Sequence, residues 1–360
     1  MSRTVFILGA GASVKAGAPL MWNFLEVAKE LERAGRVADS EAEFRLVFRG
    51  QSALQSVHSK FRLDHRNLES VFAAFEMSRI AGKLGNMDPK EVQALPDAMR
   101  RLIVRTLEET MLFPAGTTQS VGPPHFYGRF VDLIKDIHPQ EPWLRSCVIT
   151  TNYDLCVDCA LHDRSVPIDY CLEGGHPPSG LKLIKLHGSL NWGYCEKCET
   201  ISPLHPAAFL KDRPVQEKYA RENRLIIGSR IGFGAQPCGH QPQKEPFIVP
   251  PTWNKTMHQS ELRAVWSAAA RELQDAEEIV VIGYSLPEAD LFFKYLLAIG
   301  AVGDALIHKF WVFDPSEEVG PRFRKILGTA AEDRFDHRPI TFMEAVGYLK
   351  ERLARSPEIR

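Results

Sequence analysis

Residues 183–198 read L-I-K-L-H-G-S-L-N-W-G-Y-C-E-K-C and place a strand, a histidine turn and a cysteine pair in succession. The apolar residues Leu183, Ile184 and Leu186 predict the end of a buried strand, and His187-Gly188-Ser189 predicts the turn after it. Open α/β sheets bind ligands where the chain leaves the carboxyl end of a strand. The stretch therefore predicts an α/β fold with a candidate catalytic histidine, His187, at a strand exit. A turn histidine that only makes hydrogen bonds is the alternative.

The cysteine pair indicates a metal site. Cys195 and Cys198 have the spacing at which one loop offers two thiolates to a tetrahedral metal. Cys238 and His240 follow in a stretch rich in Pro, Gly, Cys and His, and with the pair they form a plausible Cys₃His zinc set. His205 is an alternative fourth ligand, and a module that has lost its metal is the other alternative.

Composition sets the broad class of protein. The chain has 360 residues, of which 44% are hydrophobic and 25% are charged, so it can form one large domain with insertions or two domains. The net charge of −1 gives no electrostatic signature of nucleic-acid or membrane-surface binding. No apolar run approaches the roughly 18 residues that span a bilayer, and no signal peptide is recognisable. We expect a cytoplasmic protein whose seven cysteines are thiols or metal ligands.

A glycine turn follows the first apolar run. Thr4 to Leu8 predicts a strand, and Gly9-Ala10-Gly11-Ala12-Ser13 leads from it into a helix-compatible segment. A strand, a glycine turn and a helix N-terminus together can cradle a pyrophosphate. The G-x-G-x-x-G pattern is incomplete because Val14 occupies the third glycine position. A tight turn without a ligand is the alternative.

Two polar residues follow the next predicted strand. Ser146 to Thr150 is strand-like, and Asn152 and Asp154 lie just beyond it. Alternate residues of an extended segment share a face, so these two side chains should project together. Asp154 also precedes the helical Leu155 to Leu161 and could be a helix cap.

Polar residues follow two further strands. Ile279 to Ile282 leads into Gly283-Tyr284-Ser285, and Lys309 to Phe313 ends at Asp314. Together with the glycine turn, the Asn152 segment and His187, these residues give four strand ends that carry glycine or polar residues, a higher concentration than independent turn residues would give.

The remaining sequence divides into regions. The pattern from Leu20 to about Ile137 is helical and carries no strand signal. We therefore predict a Rossmann-like domain formed by residues 1–21, 144–190 and 245–360, a helical insertion at 22–143, and a small, zinc-ribbon-like Cys/His insertion at 191–244.

These motifs, in this order, resemble the NAD-binding and catalytic elements of sirtuins. The elements are Gly9-Ala10-Gly11-Ala12-Ser13, Thr151-Asn152-Tyr153-Asp154, Leu186-His187-Gly188-Ser189, Cys195 with Cys198, and Gly283-Tyr284-Ser285. The segment from Val281 to Leu296 is especially similar to a divergent bacterial branch associated with NAD hydrolysis in antiphage defence. The resemblance implies a doubly wound, Rossmann-like parallel sheet.

The resemblance also implies roles for the site residues. The pyrophosphate of NAD and the nearby ribose would contact the glycine turn, which is Gly9, Ala10, Gly11, Ala12 and Ser13. The adenosine side would be lined by Gly283, Tyr284, Ser285 and Asp314. Asn152 would orient the nicotinamide ribose or a water, Asp154 would hold the carboxamide, and His187 would be the general base.

The peptide-binding side departs from the pattern of protein-deacylating sirtuins. Residues 17–22 read Gly-Ala-Pro-Leu-Met-Trp where those enzymes carry Asp-Phe-Arg, and residues 250–255 read Pro-Pro-Thr-Trp-Asn-Lys where they carry Phe-Gly-Glu beside the peptide groove. Prolines lack the N–H that would pair with a peptide strand.

We therefore expect an NAD glycohydrolase. An NAD-dependent protein deacylase and a non-catalytic NAD or ADP-ribose sensor are the alternatives. Because unregulated NAD hydrolysis would harm the cell, we also expect control by homo-oligomerisation or by a partner protein, such as the ring-shaped ATPases found in related systems.

Overall fold

The computed structural model describes residues 3–55, 63–114, 122–173, 180–206, 233, 239–240, 242–243, 245–250, 259–287, 290–300, 302 and 305–355. Its central sheet contains the strands β1 (Thr4–Leu8), β2 (Ser146–Thr150), β3 (Ile168–Asp169), β4 (Leu181–Lys185), β7 (Glu278–Ile282), β8 (Lys309–Phe313) and β9 (Phe335–Arg338), while β5 (Trp192–Cys195) and β6 (Thr200–Pro203) form a separate antiparallel pair. The seven strands lie in the order β3-β4-β2-β1-β7-β8-β9, and every neighbouring pair is parallel. The predicted doubly wound α/β fold is confirmed.

Helices cover both faces of the sheet and extend beyond it. They are α1 (Phe24–Arg33), α2 (Glu41–Gln55), α3 (Leu68–Ala81), α4 (Pro89–Thr110), α5 (His125–Ile137), α6 (Pro142–Arg145), α7 (Cys156–Asp163), α8 (Gln259–Gln274), α9 (Leu291–Gly300), α10 (Val319–Arg324), α11 (Thr329–Glu332) and α12 (Phe342–Arg355). Short 3₁₀ helices span Ala10–Ala16 and Ala38–Ser40. Within the described residues, no helix is both long and apolar enough to cross a membrane.

The central strands are buried because both faces of the sheet are covered. Every residue of β1 and β2 is buried, which explains their almost continuous apolar sequences. The register pairs Leu8 with Thr150 of β2 on one side and with Ile282 of β7 on the other. The chain continues outward from β1 through β2 and, in the opposite direction, from β7 through β8. The exits of β1 and β7 therefore flank the topological switch point, where such sheets bind ligands.

The helical region between β1 and β2 has two parts. Helices α2, α3 and α4 pack against one another, and a Cβ at Gly50 would lie within 2.9 Å of the side chains of Leu95 and Phe75. Helix α5 lies in the last part of the predicted insertion at 22–143, and it packs on the sheet, where Phe130 meets Phe6 of β1 at 5.2 Å between ring centroids. By its contacts, α5 is a layer helix of the α/β unit.

Candidate active site at the carboxyl edge of the sheet

The exits of β1 and β7 touch at the switch point. The Gly9 N–H donates to the Ile282 carbonyl at 3.1 Å, and the Gly11 N–H donates to the Gly283 carbonyl at 2.8 Å. A Cβ on Gly11 would lie 2.8 Å from Gly283 Cα, and Gly283 itself has φ of +63°. The glycines at these positions are required because two backbones approach too closely for a side chain.

The glycine turn differs in detail from the predicted phosphate cradle. It leads into the seven-residue 3₁₀ helix Ala10–Ala16, which Gly17 ends with φ of +94°, rather than into an α-helix. The N–H of Ala12 donates to the Gly9 carbonyl at 3.0 Å, so the N–H groups of Gly9, Gly11 and Ala12 all have protein acceptors. These three groups stabilise the loop, and only the remaining N–H groups of the turn could serve a phosphate.

Ser13 joins the glycine turn to the exit of β2. Its hydroxyl, 0% exposed, donates to Asp154 Oδ2 at 2.7 Å. Its oxygen lies 2.7 Å from the Tyr127 hydroxyl and accepts from Asn152 Nδ2 at 3.2 Å. Because the Ser13 proton goes to Asp154, Tyr127 is the donor in its contact with Ser13. Burial, together with the Asp154 charge, raises the pKa of Tyr127 and keeps it a protonated donor.

Asn152 and Asp154 lie together at the β2 exit, as predicted. The second N–H of the Asn152 amide donates to the Gly9 carbonyl at 2.9 Å, so both donors are engaged and Oδ1 is the group that can accept from a ligand. Asp154 Oδ1 accepts from the Cys156 N–H at 3.0 Å. Asp154 therefore accepts from the first N–H of α7, whose N-cap is Leu155, and is also a member of the polar cluster.

His187 lies at the exit of β4, the neighbour of β2. Thr150, the last residue of β2, pairs with Lys185, the last residue of β4. Asn152 and His187 each lie two residues beyond this pair, so they occupy equivalent positions on the two strand exits. The imidazole is 6% exposed and lies between the rings of Tyr153 and Trp266, at centroid distances of 6.4 and 6.3 Å.

A segment from the region after the Cys/His insertion covers the His187 turn. The His187 carbonyl accepts from the Val249 N–H at 2.8 Å, and the Tyr153 hydroxyl donates to the Val249 carbonyl at 2.9 Å. A Cβ on Gly188, which has φ of +83°, would lie 2.3 Å from the Phe247 carbonyl oxygen. Residues 247–249 thus enclose the histidine on one side.

The exits of β7 and β8 supply the remaining predicted residues. Tyr284 is buried and donates to Asp290 Oδ2 at 2.6 Å, whereas Ser285 is exposed and its carbonyl accepts from Arg322 at 3.3 Å. Asp314 is 9% exposed, and burial raises the pKa of its carboxyl group. The hydrogen bond that this carboxyl accepts from the Ser316 N–H lowers the pKa but has the smaller effect. These residues lie on the β7 side of the switch point, away from His187.

The predicted metal ligands are only partly described. Cys195 and His240 line one pocket, together with Glu196, Lys197, Pro242 and Gln243. Cys198 Sγ lies 2.8 Å from Thr200 Oγ1, His205 packs against His162, and Cys238 lies outside the described residues. Among the residues that the structure describes, no three His, Cys, Asp or Glu side chains form a metal-binding group. Two of the four predicted ligands, Cys195 and His240, thus line the same pocket, and the zinc site stays a prediction.

A second polar cluster lies beneath these exits and was not predicted. Lys185, Asp158 and Asn191 are at most 1% exposed, and Tyr170 is 8% exposed. The sequence did hold a signal for two of them, since Lys185 interrupts an apolar strand and Asp158 interrupts the apolar helix α7.

No family model matches this chain, and no curated protein is significantly similar to it. Similar solved structures include a Sir2 homologue in complex with NAD, at 16% identity over 98% of this chain and 90% of that chain, with a TM-score of 0.43. A mutant Sir2 homologue in complex with ADP-ribose is 16% identical over 99% and 93% of the two chains, with a TM-score of 0.42. Sir2Tm bound to a propionylated peptide is 15% identical over 98% and 94%, with a TM-score of 0.37.

Proposed function

We propose that this chain is a sirtuin-like NAD glycohydrolase that cleaves NAD to nicotinamide and ADP-ribose. The observation that carries the proposal is the placement of Asn152 and His187 at equivalent positions on the exits of the neighbouring strands β2 and β4, on one side of the switch point. The glycine turn is joined to the same cluster through Ser13. The glycine turn, a polar amide and a histidine thus follow three successive strands of the sheet, β1, β2 and β4, at the same edge.

The reaction breaks one bond and forms one. The C1′–N bond to nicotinamide breaks and its electron pair leaves with nicotinamide, while a water oxygen forms a bond to C1′ of the oxocarbenium-like ribose. The water loses one proton, which His187 accepts as general base. A neutral imidazole can take this proton near pH 7.

Asn152 and Asp154 have complementary roles in this proposal. With both amide donors engaged, Asn152 Oδ1 can accept a hydrogen bond from a ribose hydroxyl or from the attacking water. Each Asp154 carboxylate oxygen already accepts one hydrogen bond and retains a lone pair for the carboxamide N–H₂. Holding substrate and water in reacting geometry is itself a large part of the catalysis.

The enclosure of His187 suits a reaction that must control water. The imidazole is 6% exposed, with Tyr153, Trp266 and residues 247–249 around it. In such surroundings, a polar group acts more strongly on its substrate than it would in bulk water.

Several further expectations belong to the same proposal. Zinc held by Cys195, Cys198, Cys238 and His240 would stabilise the Cys/His insertion and take no part in the chemistry. Homo-oligomerisation or a partner protein would switch the activity on, and depletion of NAD would act in antiphage defence.

The test is turnover of NAD by the purified chain, alone and with the products of neighbouring genes. We expect fluorescence to rise with etheno-NAD and nicotinamide to appear in equal amount with ADP-ribose. A deacylase would release nicotinamide only when an acyl-lysine peptide is added, and a sensor would bind NAD without cleaving it. Either outcome would replace the hydrolase proposal.

A further inference from the structure

A lysine and an aspartate form an ion pair beneath the exits of β2 and β4. Lys185 Nζ lies 3.0 Å from Asp158 Oδ2, and each side chain is 1% exposed. Burying two charges costs desolvation free energy, and an apolar pair of similar volume often stabilises a fold equally well or better. Packing alone therefore does not explain why charged residues occupy these two positions.

One arm of hydrogen bonds leads from the ion pair to Asn152. Lys185 Nζ donates to the backbone carbonyl of Asp154 at 2.6 Å, which fixes the turn after β2 from below. The Asp154 carboxylate accepts from Ser13, and Ser13 accepts from the Asn152 amide. The position of Asn152 is thus tied to the ammonium group through two residues.

A second arm leads to the His187 turn. Asp158 Oδ1 accepts a hydrogen bond from the Tyr170 hydroxyl at 2.6 Å. The Tyr170 hydroxyl oxygen in turn accepts one from Asn191 Nδ2 at 3.1 Å. Asn191 Oδ1 accepts from the Ser189 hydroxyl at 2.7 Å. Ser189 lies two residues beyond His187, so this arm fixes the turn that carries the imidazole.

We infer that the buried Lys185–Asp158 ion pair is a positioning element that sets Asn152 and His187 relative to each other. It is the point at which the two arms meet, and each arm ends at a different strand exit. The catalytic consequence of this positioning rests on the proposed function, whereas the placement of the two turns does not. The alternative is an ion pair that only stabilises the fold.

Two variants separate positioning from stability. Lys185→Met leaves Asp158 as an uncompensated buried charge, so this single variant should unfold at a lower temperature. In Lys185→Met/Asp158→Asn both charges are gone, and the amide oxygen still accepts from Tyr170. The double variant should recover most of the lost thermal stability but should lack the donor to the Asp154 carbonyl.

A matched control exists on the same strand. Lys182 of β4 lies 2.5 Å from Glu272, and this pair lies at the opposite end of the strand from His187. Lys182→Met/Glu272→Gln removes the same kinds of charge without touching either arm. It should keep wild-type turnover.

Three properties are measured: the unfolding temperature, the imidazole NMR signals of His187, and kcat and KM for NAD. The His187 signals are assigned by their loss in His187→Ala. For Lys185→Met/Asp158→Asn, we expect shifted His187 signals and a kcat lowered about 10- to 100-fold, because small misplacements of reacting groups are costly. KM should change far less, since the residues on the β7 side stay in place.

A conservative variant keeps the test decisive if the double variant does not fold. Tyr170→Phe removes one hydroxyl from the second arm and retains the ring contact with Trp192 at 5.7 Å. It should shift the His187 signals and lower kcat in the same direction. Wild-type kcat and unshifted His187 signals in a folded variant would overturn the inference. A wild-type chain that releases no nicotinamide would overturn the proposed function instead, and the His187 signals would still decide the inference.

Discussion

Ser13 Oγ donates to Asp154 Oδ2 at 2.7 Å and thereby joins the loop after β1 to the loop after β2. The two residues are 141 positions apart in sequence and both are buried. With the Asn152 amide bound to the same hydroxyl, the glycine turn and the Asn152 turn form one unit. A change at Ser13 should therefore affect both folding and NAD binding.

The first prediction is that Ser13→Ala lowers the free energy of unfolding by about 1–3 kcal/mol, since buried partners lose their hydrogen bonds. Urea unfolding measures this, and NAD affinity should fall in parallel. Ser78→Ala is the control, because the Ser78 hydroxyl bonds the Ala74 carbonyl within its own helix, α3. Equal unfolding midpoints and equal NAD affinities for Ser13→Ala and wild type would show that the cluster is dispensable.

The second prediction concerns the contact between the loops after β1 and β7. Gly11→Ala places a Cβ 2.8 Å from Gly283 Cα, and backbone cannot yield as a side chain can. We expect a lower unfolding temperature and weaker NAD binding, measured by calorimetry. Gly347→Ala, in α12, places the added Cβ with no described residue within 4 Å, so it should be neutral or slightly stabilising by up to about 1 kcal/mol. Unchanged stability of Gly11→Ala would mean that the loops are not in close contact.

The third prediction is a pH dependence of stability that originates at His138. Burial, reinforced by the Arg145 charge, lowers the pKa of His138 from 6.5 to about 4. Because the folded-state pKa is depressed, the stabilisation is present above pH 6.5 and is lost as pH falls towards 4. The loss amounts to about 1.4 kcal/mol per pH unit over that window.

Urea unfolding of wild type and His138→Gln at several pH values between 4 and 7 measures this difference. The wild type should lose stability more steeply than the variant as pH falls. Parallel curves would contradict the assignment, because carboxyl groups titrate alike in both proteins.

The fourth prediction concerns zinc. Metal analysis of the purified chain should find about one zinc per chain, and Cys195→Ser should lower the unfolding temperature because metal-binding energy is folding energy. Cys171→Ser, outside the Cys/His insertion, is the control and should retain the metal. A chain without zinc would remove the metal site and leave the NAD proposal intact.

Much of the sheet could be predicted because its central strands are short apolar runs. The predicted bounds of β1, β2 and β8 coincide with those observed, and a polar or glycine residue marks the end of each central strand. Strands β3 and β9 were not predicted, since both lie at the sheet's edges and neither is an apolar run. Edge strands need fewer apolar residues, so their sequences resemble loops.

The residues of the candidate site that follow strand ends could be predicted from the sequence, but the hydrogen bonds that connect them could not. Asn152, Asp154 and His187 stand beside recognisable strands, whereas Tyr127 reaches Ser13 from α5 and Tyr170 reaches Asp158 from the segment after β3. Such contacts depend on helix packing over long sequence separations, which no local pattern encodes. Likewise, the close approach of Gly11 and Gly283 is visible only once β1 and β7 are neighbours.

The measurement that tests the central claim most directly is nicotinamide release together with NAD affinity, for wild type, His187→Ala, Asn152→Ala and the double variant, under the condition that activates the wild type. We predict that each single change lowers turnover by about 100-fold or more, the usual scale for lost acid–base catalysis, while NAD affinity falls far less. The double variant should be little worse than either single variant, because groups that serve one transition state act as a unit. Wild-type turnover by His187→Ala would contradict the proposed mechanism.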